Sequence, residues 1–320
     1  MQKRKCGANG PDLTTIGLGA WAIGGSWQFG WGPSDDDESI RTIQHALDLG
    51  VNWIDTAAAY GLGHSEEIVG RAIKGRRDQV YIATKCGLVW DDQGRIRNDI
   101  RPKSIRREVE ASLSRLDIDV IDLYQIHWPY ANHSETDAWR ELIKLKKEGK
   151  VRWIGVSNFD VPLLQRCEKI GHIDSLQPPY SMLRRDIEKE ILPCCQENNI
   201  GVIAYSPMFS GLLSGRFDRS ALAHDDWRAR NPMFNEPLLS KNLAFVQELK
   251  QIAAKYDRTV GNLAVAWVLH HPAITAAIVG ARKVEQIEEN VRAADVKLAD
   301  KDLEMIENLL VKHNINALAH

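Results

Sequence analysis

The sequence predicts an α/β fold, a parallel (β/α)8 barrel of the TIM type. Three observations predict it. Apolar runs of strand length recur eight times along the 320 residues. Helical patterns separate these runs. The runs are rich in Val and Ile and apolar on both faces, as strands covered by helices on both sides of a parallel sheet must be. Eight such units in about 300 residues favour closure into a barrel over an open sheet.

In chain order the runs are TTIGLG (14–19), VNWIDTA (51–57), VYIATK (80–85), IDLYQIH (121–127), VRWIGVS (151–157), DSLQPPY (174–180), VIAYS (202–206) and TAAIVG (275–280). DSLQPPY is the weakest, because two prolines remove ladder donors, so its strand should end near Gln177. Between the runs, Ser39 to Leu49 carries Ile40, Ile43 and Leu47 on one helical face. Ser65 to Ile73 opens on a candidate N-cap and two glutamates. An N-terminal β-hairpin is expected to close the barrel bottom. The longest insertions, 23–36 and 207–240, follow strands and therefore belong around the open mouth. No repeat or Pro/Ser-rich linker divides the chain, so residues 1–320 read as one domain.

Hydrophobic residues at 44% and charged residues at 26% are ordinary for a soluble globular chain with a large core. The net charge of -2 provides no general field to attract nucleic acid or an acidic membrane. The five cysteines have neither CxxC spacing nor a Cys/His metal pattern, which fits a reducing compartment and no metal. The basic N-terminus MQKRKCGANG is followed by no apolar stretch, and no run approaches the ~18 residues of a membrane span. A cytoplasmic protein is expected.

Asp55, Tyr60, Lys85 and His127 stand at or just beyond the C-terminal ends of VNWIDTA, its continuation AAYG, VYIATKCG and VIDLYQIHW, the face on which a parallel barrel gathers its active groups. A carboxylate, a phenol, an amine and an imidazole together suit proton transfer to a carbonyl oxygen. Asp55 and Lys85 alone could be a structural ion pair, and His127 alone a core histidine. Tyr60, five residues after Asp55, changes that balance. A lysine ~4 Å from a phenol is worth at most ~4 kcal/mol at an effective dielectric of ~20, so a downward pull of about two to three pKa units on Tyr60 is physically available. His127 would orient the carbonyl or share the proton.

Other strand ends carry Ser157, Asn158, Gln177, Tyr205 and Ser206, a bonding rim suited to a flat nicotinamide, though each alone is also a common turn former. Gly17, Gly19 and Ala22 match G-x-G-x-x-A, yet no second strand ends in an acid some 20 residues on, so a Rossmann site is rejected. The segment SPMFSGLLSGRF, with Gly211, Gly215 and Arg216, reads either as a linker or as a lid over a pyrophosphate. Arg282, Gln286 and Asn290 share one helix face, opposite Val284, Ile287 and Val291. That face is either solvated or binds a phosphate at a helix N-terminus. Trp21, Trp27, Trp31, Trp90 and Trp128, with Phe209, suggest a broad aromatic substrate mouth.

The segments GVNWIDTAAAYGLGHSEEIVGRAI, IATKCG, DLYQIHWP, IGVSNF, IAYSPMFSGLLSGRF and VGARKVEQIEEN, in that order, closely resemble the aldo-keto reductase superfamily. The similarity is greatest to bacterial members whose first strand reads GTWAIGG, where this chain has Ala20 for the threonine. The short tail after Lys297 lacks the long specificity loop of the mammalian steroid and aldose reductases. The resemblance implies NADPH/NADP+ as cofactor and a tetrad of Asp55, Tyr60, Lys85 and His127, with Tyr60 as the proton donor. It implies Ser157, Asn158 and Gln177 at the carboxamide and Tyr205 on the nicotinamide. Ser206, Pro207, Met208, Gly211, Leu212, Gly215 and Arg216 would follow the pyrophosphate. Gly280, Arg282, Gln286, Glu289 and Asn290 would hold the adenosine end, and Ala20 and Trp21 would complete the contacts. The expected activity is reduction of a small-molecule aldehyde or ketone. The alternatives are a sugar or polyol dehydrogenase, or a regulatory subunit resembling potassium-channel β subunits.

Overall fold

The computed structural model describes residues 1–25, 27, 30, 32–130, 134–224 and 226–315. Eight parallel strands close into a barrel in chain order: β1 (Ile16–Gly19), β2 (Trp53–Asp55), β3 (Tyr81–Cys86), β4 (Ile121–Ile126), β5 (Val151–Ser157), β6 (Ser175–Gln177), β7 (Gly201–Ala204) and β8 (Ile274–Gly280). The expected barrel is therefore present, and β6 ends at Gln177 as the prolines after it require. Register sets the level of the later site. Gly19 pairs with both Gly280 and Asp55, Ser157 pairs with Gln177, and Lys85 pairs with Gln125.

Two apolar layers hold the barrel. The outer one joins the strands to the surrounding helices through residues such as Ile54, Ile82, Val156 and Ile287. The inner one fills the lumen with Cys6, Leu13, Trp53, Ala83, Leu123, Ile203, Ala276 and Ile278. Gly17 makes room for it. A Cβ there would lie 2.0 Å from Trp53 Cε2, so only glycine lets that indole cross the interior. The indole N–H donates to Thr14 O at 2.9 Å, which satisfies the one polar atom of the plug.

The antiparallel hairpin Lys3–Lys5 and Asp12–Thr14 closes the N-terminal end of the barrel. Its Cys6 and Leu13 enter the lumen, Ala8 N–H donates to Asn199 O at 2.9 Å, and Arg4 reaches Ile274 O at 2.7 Å at the start of β8. With the bottom sealed, the opposite end is left for chemistry. Asp35 caps the helix Asp36–Asp48 by accepting from Glu38 N at 2.8 Å, so the acids there open a helix and not a nucleotide site.

One expectation fails in this region. Ser65 is not an N-cap, because Gly63 holds that position at φ 104 and the helix runs His64–Ala72. The Ser65 hydroxyl is instead buried, bonding Ala20 O at 2.9 Å and Thr56 Oγ1 at 2.9 Å. Glu66 does lie in the first turn, and it is fully buried between Thr84 and Arg115. Helix periodicity shows where a helix lies, not which polar side chain the neighbouring strand ends will claim.

Candidate active site

Four barrel elements deliver the expected group of side chains to one place. Asp55 closes β2 and Lys85 stands one residue before the end of β3, with 3% and 1% of their surface exposed. Lys85 Nζ donates to Asp55 Oδ2 at 2.7 Å, to Thr56 O at 2.8 Å and to the Tyr60 hydroxyl oxygen at 3.2 Å. All three ammonium protons are thereby directed, and the phenol oxygen lies where a cation polarises it. Tyr60 opens the turn Tyr60–Gly63, and Gly61 at φ 62 packs so closely on Gly24 that a Cβ would sit 2.0 Å from Gly24 O. This close approach locks the turn bearing Tyr60 to the turn Trp21–Gly24 after β1.

His127 follows β4, held by its N–H to Cys86 O at 2.9 Å, and its ring meets the Tyr60 ring edge-on at 5.7 Å. The Asn158 amide donates to His127 O at 3.1 Å, and the Tyr205 hydroxyl donates to Asn158 Oδ1 at 2.9 Å. Asn158 adopts φ 62, and Ser206, Phe209 and Ser210 share that left-handed region, a concentration of backbone strain along one cavity. Burial holds His127 well below the usual imidazole range, with the Lys85 charge adding to it. The ring is therefore neutral at pH 7 and keeps one N–H donor.

The downward pull available to Tyr60 is outweighed. Burial, and after it the Asp55 carboxylate, raise the phenol well above its ordinary value. Asp55 sits 2.7 Å from the same ammonium, so Tyr60 faces a nearly neutral pair instead of a bare cation. Burial also draws Lys85 below its usual range, with Asp55 opposing. The phenol is consequently a protonated donor whose oxygen is bridged to the ion pair.

A cavity of about 1060 Å³ extends from this cluster, lined at the far end by Gln286, Glu289 and Asn290. Of the expected residues, Trp21, Asp55, Ser157, Asn158, Gln177, Tyr205, Ser206, Pro207, Met208, Gly211, Arg216 and Gly280 also line it. Trp27, Trp128 and Phe209 line it as well. Arg216 pairs with Glu289 and so straps the segment after β7 to the helix Val284–Val291.

Ala20, Leu212, Gly215, Arg282 and Trp90 do not line the cavity. Ala20 and Leu212 are fully buried in the outer core, and Gly215 adjoins Val260. Arg282 lies just past Gly280 at the rim, its guanidinium donating to Pro33 O at 3.2 Å and its N–H to Gln286 Oε1 at 2.7 Å. Trp90 packs under the Arg115 guanidinium at 5.7 Å. Trp31 lies outside the described residues. Asn290 is no open face either, since its amide donates to Gly280 O at 3.1 Å.

Sequence reasoning missed several lining residues: Leu88, Ile96 and Asn98 on a hairpin after β3, and Trp227 and Asn231 after β7. The only signal for the last two was their place in the 207–240 insertion.

A closed parallel barrel that sets a buried phenol, ammonium and carboxylate beside a long polar-rimmed groove defines a barrel oxidoreductase. The chain belongs to the Aldo/keto reductase family, whose model matches residues 15–311. It is 38% identical to the Aldo-keto reductase YhdN of Bacillus subtilis (strain 168) over 314 residues, 97% of this chain and 94% of that protein. It is also 38% identical to the NADH-specific methylglyoxal reductase of Escherichia coli (strain K12), over 97% of this chain and 98% of that one. Among solved structures, the glycerol dehydrogenase AKR11B4 from Gluconobacter oxydans superposes with a TM-score of 0.89 at 40% identity, covering 98% of this chain and 96% of its own. The activity is that of the family, NADP(H)-dependent carbonyl reduction. Among the described residues no helix is long and apolar enough to cross a membrane, and no acid, histidine or cysteine cluster could hold a metal ion.

Proposed function

We propose that the chain reduces small aldehydes and ketones with NADPH, with Tyr60 as the proton donor and Asp55, Lys85 and His127 as its partners. One observation carries this reading: buried Lys85 Nζ bridges Asp55 Oδ2 and the Tyr60 oxygen, and both of those partners line the cavity.

The groove fits the cofactor. Ser157, Asn158 and the Oε1 of Gln177 suit a carboxamide, and Tyr205 suits the nicotinamide face. Ser206, Met208 and Gly211 suit a pyrophosphate under the Arg216 strap. Arg282 at the rim suits a 2'-phosphate. When bound, NADPH supplies the hydride that goes to the carbonyl carbon. Tyr60 protonates the carbonyl oxygen, while Lys85 donates to the phenol oxygen and stabilises the charge left on it. Neutral His127 offers an N–H to the same carbonyl oxygen and orients it. A positioned acid of this kind contributes about 10²–10⁴-fold.

Cofactor choice rests on Arg282, since the E. coli relative is named for NADH. The name of the Gluconobacter relative favours a second reading, in which the same groups run in the oxidative direction on a polyol. The five cysteines are free and buried, which supports a reducing compartment such as the cytoplasm. The deciding assay follows NADPH consumption with a panel of aldehydes, ketoses and bulky ketones, with NADH and with NADP+ plus polyols in parallel. Tight NADPH binding with no turnover in either direction would leave a regulatory subunit as the better description.

A further inference from the structure

Glu66 spans the two segments that carry Tyr60 and Lys85 without touching either side chain. It belongs to the helix His64–Ala72, which follows the Tyr60–Gly63 turn without a break, and its carboxylate is fully buried. Thr84, the residue before Lys85 on β3, donates its hydroxyl to Glu66 Oε1 at 2.5 Å. Successive strand side chains alternate between faces, so Lys85 meets Asp55 at the barrel mouth while Thr84 turns outward to the helix.

The second oxygen of Glu66 accepts Arg115 Nε at 2.7 Å, from the helix Pro102–Leu116. Arg115 in turn packs against the end of the Tyr60 turn, where a Cβ on Gly63 would lie 2.7 Å from its Cδ. One carboxylate therefore holds β3 directly and reaches the Tyr60 turn both along the chain and through this arginine.

Backbone pairing leaves that link to side chains. The ladder between β2 and β3 ends where Asp55 pairs with Ala83, followed by Thr56 N–H on Ala83 O at 2.8 Å. Among the described residues no ladder bond joins the Tyr60 turn to Thr84 or Lys85. Ser65 fastens the start of the helix to Thr56 after β2, and Glu66 fastens it to β3. A buried carboxylate with both oxygens bonded resists displacement, because losing either partner leaves charge unsatisfied.

We propose that Glu66 is a positioning residue for carbonyl reduction. By bracing the Tyr60 turn and its helix against β3, it sets the 3.2 Å approach of the Tyr60 oxygen to Lys85 Nζ. The chemical step then depends on it, whereas cofactor binding does not, since Glu66 and Thr84 lie outside the cavity lining. This rests on the reading of Tyr60 as proton donor and adds what holds the donor in place.

The test measures the single-turnover rate of NADPH oxidation with glyceraldehyde or methylglyoxal, whichever the parent reduces faster, together with KM and NADPH affinity by fluorescence. The variants are Thr84→Val, Thr84→Ser, Glu66→Gln and Glu141→Gln, the last altering a buried carboxylate that pairs with Arg106 on another helix. Thr84→Val should lower the rate about tenfold or more with KM and NADPH affinity within about twofold, because a displacement below ~1 Å suffices. Thr84→Ser keeps the hydroxyl and should restore the parental rate. Glu66→Gln, which keeps the shape but loses the charge-assisted bonds, should lower the rate by a smaller factor. Glu141→Gln should lower the melting temperature and leave the rate unchanged. A parental rate in Thr84→Val, no recovery in Thr84→Ser, loss of NADPH binding in Thr84→Val, or an equal fall in Glu141→Gln overturns the positioning role while reduction itself stands. A parental rate in Tyr60→Phe, or no turnover of either carbonyl by the parent, overturns the proton-donor reading and this inference with it.

Discussion

Gln177 Nε2 donates to Asp55 Oδ1 at 2.8 Å, linking residues 122 positions apart across the barrel mouth. The second oxygen of that carboxylate takes Lys85, so a single side chain of β2 ties β6 to β3 and orients both the amide and the ammonium. Gln177 thereby presents its carbonyl oxygen to the groove, and Asp55 does more than balance a charge.

Asp55→Asn should therefore disturb Lys85 before it disturbs the fold. Asp55 is the group that raises the Lys85 pKa against burial, so its loss lowers that pKa further. The sign is fixed: the ammonium loses its proton at lower pH, and the basic limb of the kcat/KM profile moves to lower pH. Removing one partner of a buried pair also costs about 3–5 kcal/mol of stability. A pH–rate profile coincident with the parent would remove the ion pair from the argument.

Tyr60→Phe should reduce turnover by at least about 10²-fold while NADPH affinity stays close to the parental value. The ring contacts with Trp27 and His127 at 5.9 and 5.7 Å survive the change, since only the hydroxyl is lost. Stopped-flow reduction at the parental rate would show that another group gives the proton.

Arg282→Ala should weaken NADPH binding by about 2 kcal/mol, because a charge-assisted bond to phosphate is lost, and leave NADH nearly unaffected. Titration calorimetry with both dinucleotides checks this. Equal losses would mean that the arginine, which bonds Pro33 O, shapes the rim instead of reading the phosphate.

Glu108 should make stability pH-dependent. Burial raises its carboxyl to about 7 from 4.5, although Gly87 N–H and the Ser104 hydroxyl, at 2.8 and 2.9 Å, oppose the shift. The folded state thus holds the proton more tightly than the unfolded chain. Its contribution is complete below pH 4.5 and is lost as pH rises through about 7. That amounts to roughly 3 kcal/mol. Glu108→Gln keeps both bonding partners and should flatten this part of the denaturation profile between those pH values. An identical slope in parent and variant would be the contrary result.

The sequence by itself determined the barrel and the meeting of Asp55, Tyr60, Lys85 and His127. Apolar runs with period and length suited to buried strands define the barrel, and a parallel barrel sends every strand end to one face. Chain position alone therefore placed those groups together. Only the tertiary structure decided the contacts that depend on side-chain direction in irregular segments. It turned Trp90 under Arg115, brought Asn98, Trp227 and Asn231 to the cavity wall, and buried Ser65 and Glu66 against strand ends. It also decided the direction of the shift on Tyr60, because protonation follows the sum of burial and every neighbouring charge, and Asp55 enters that sum only once its distance from Lys85 is fixed.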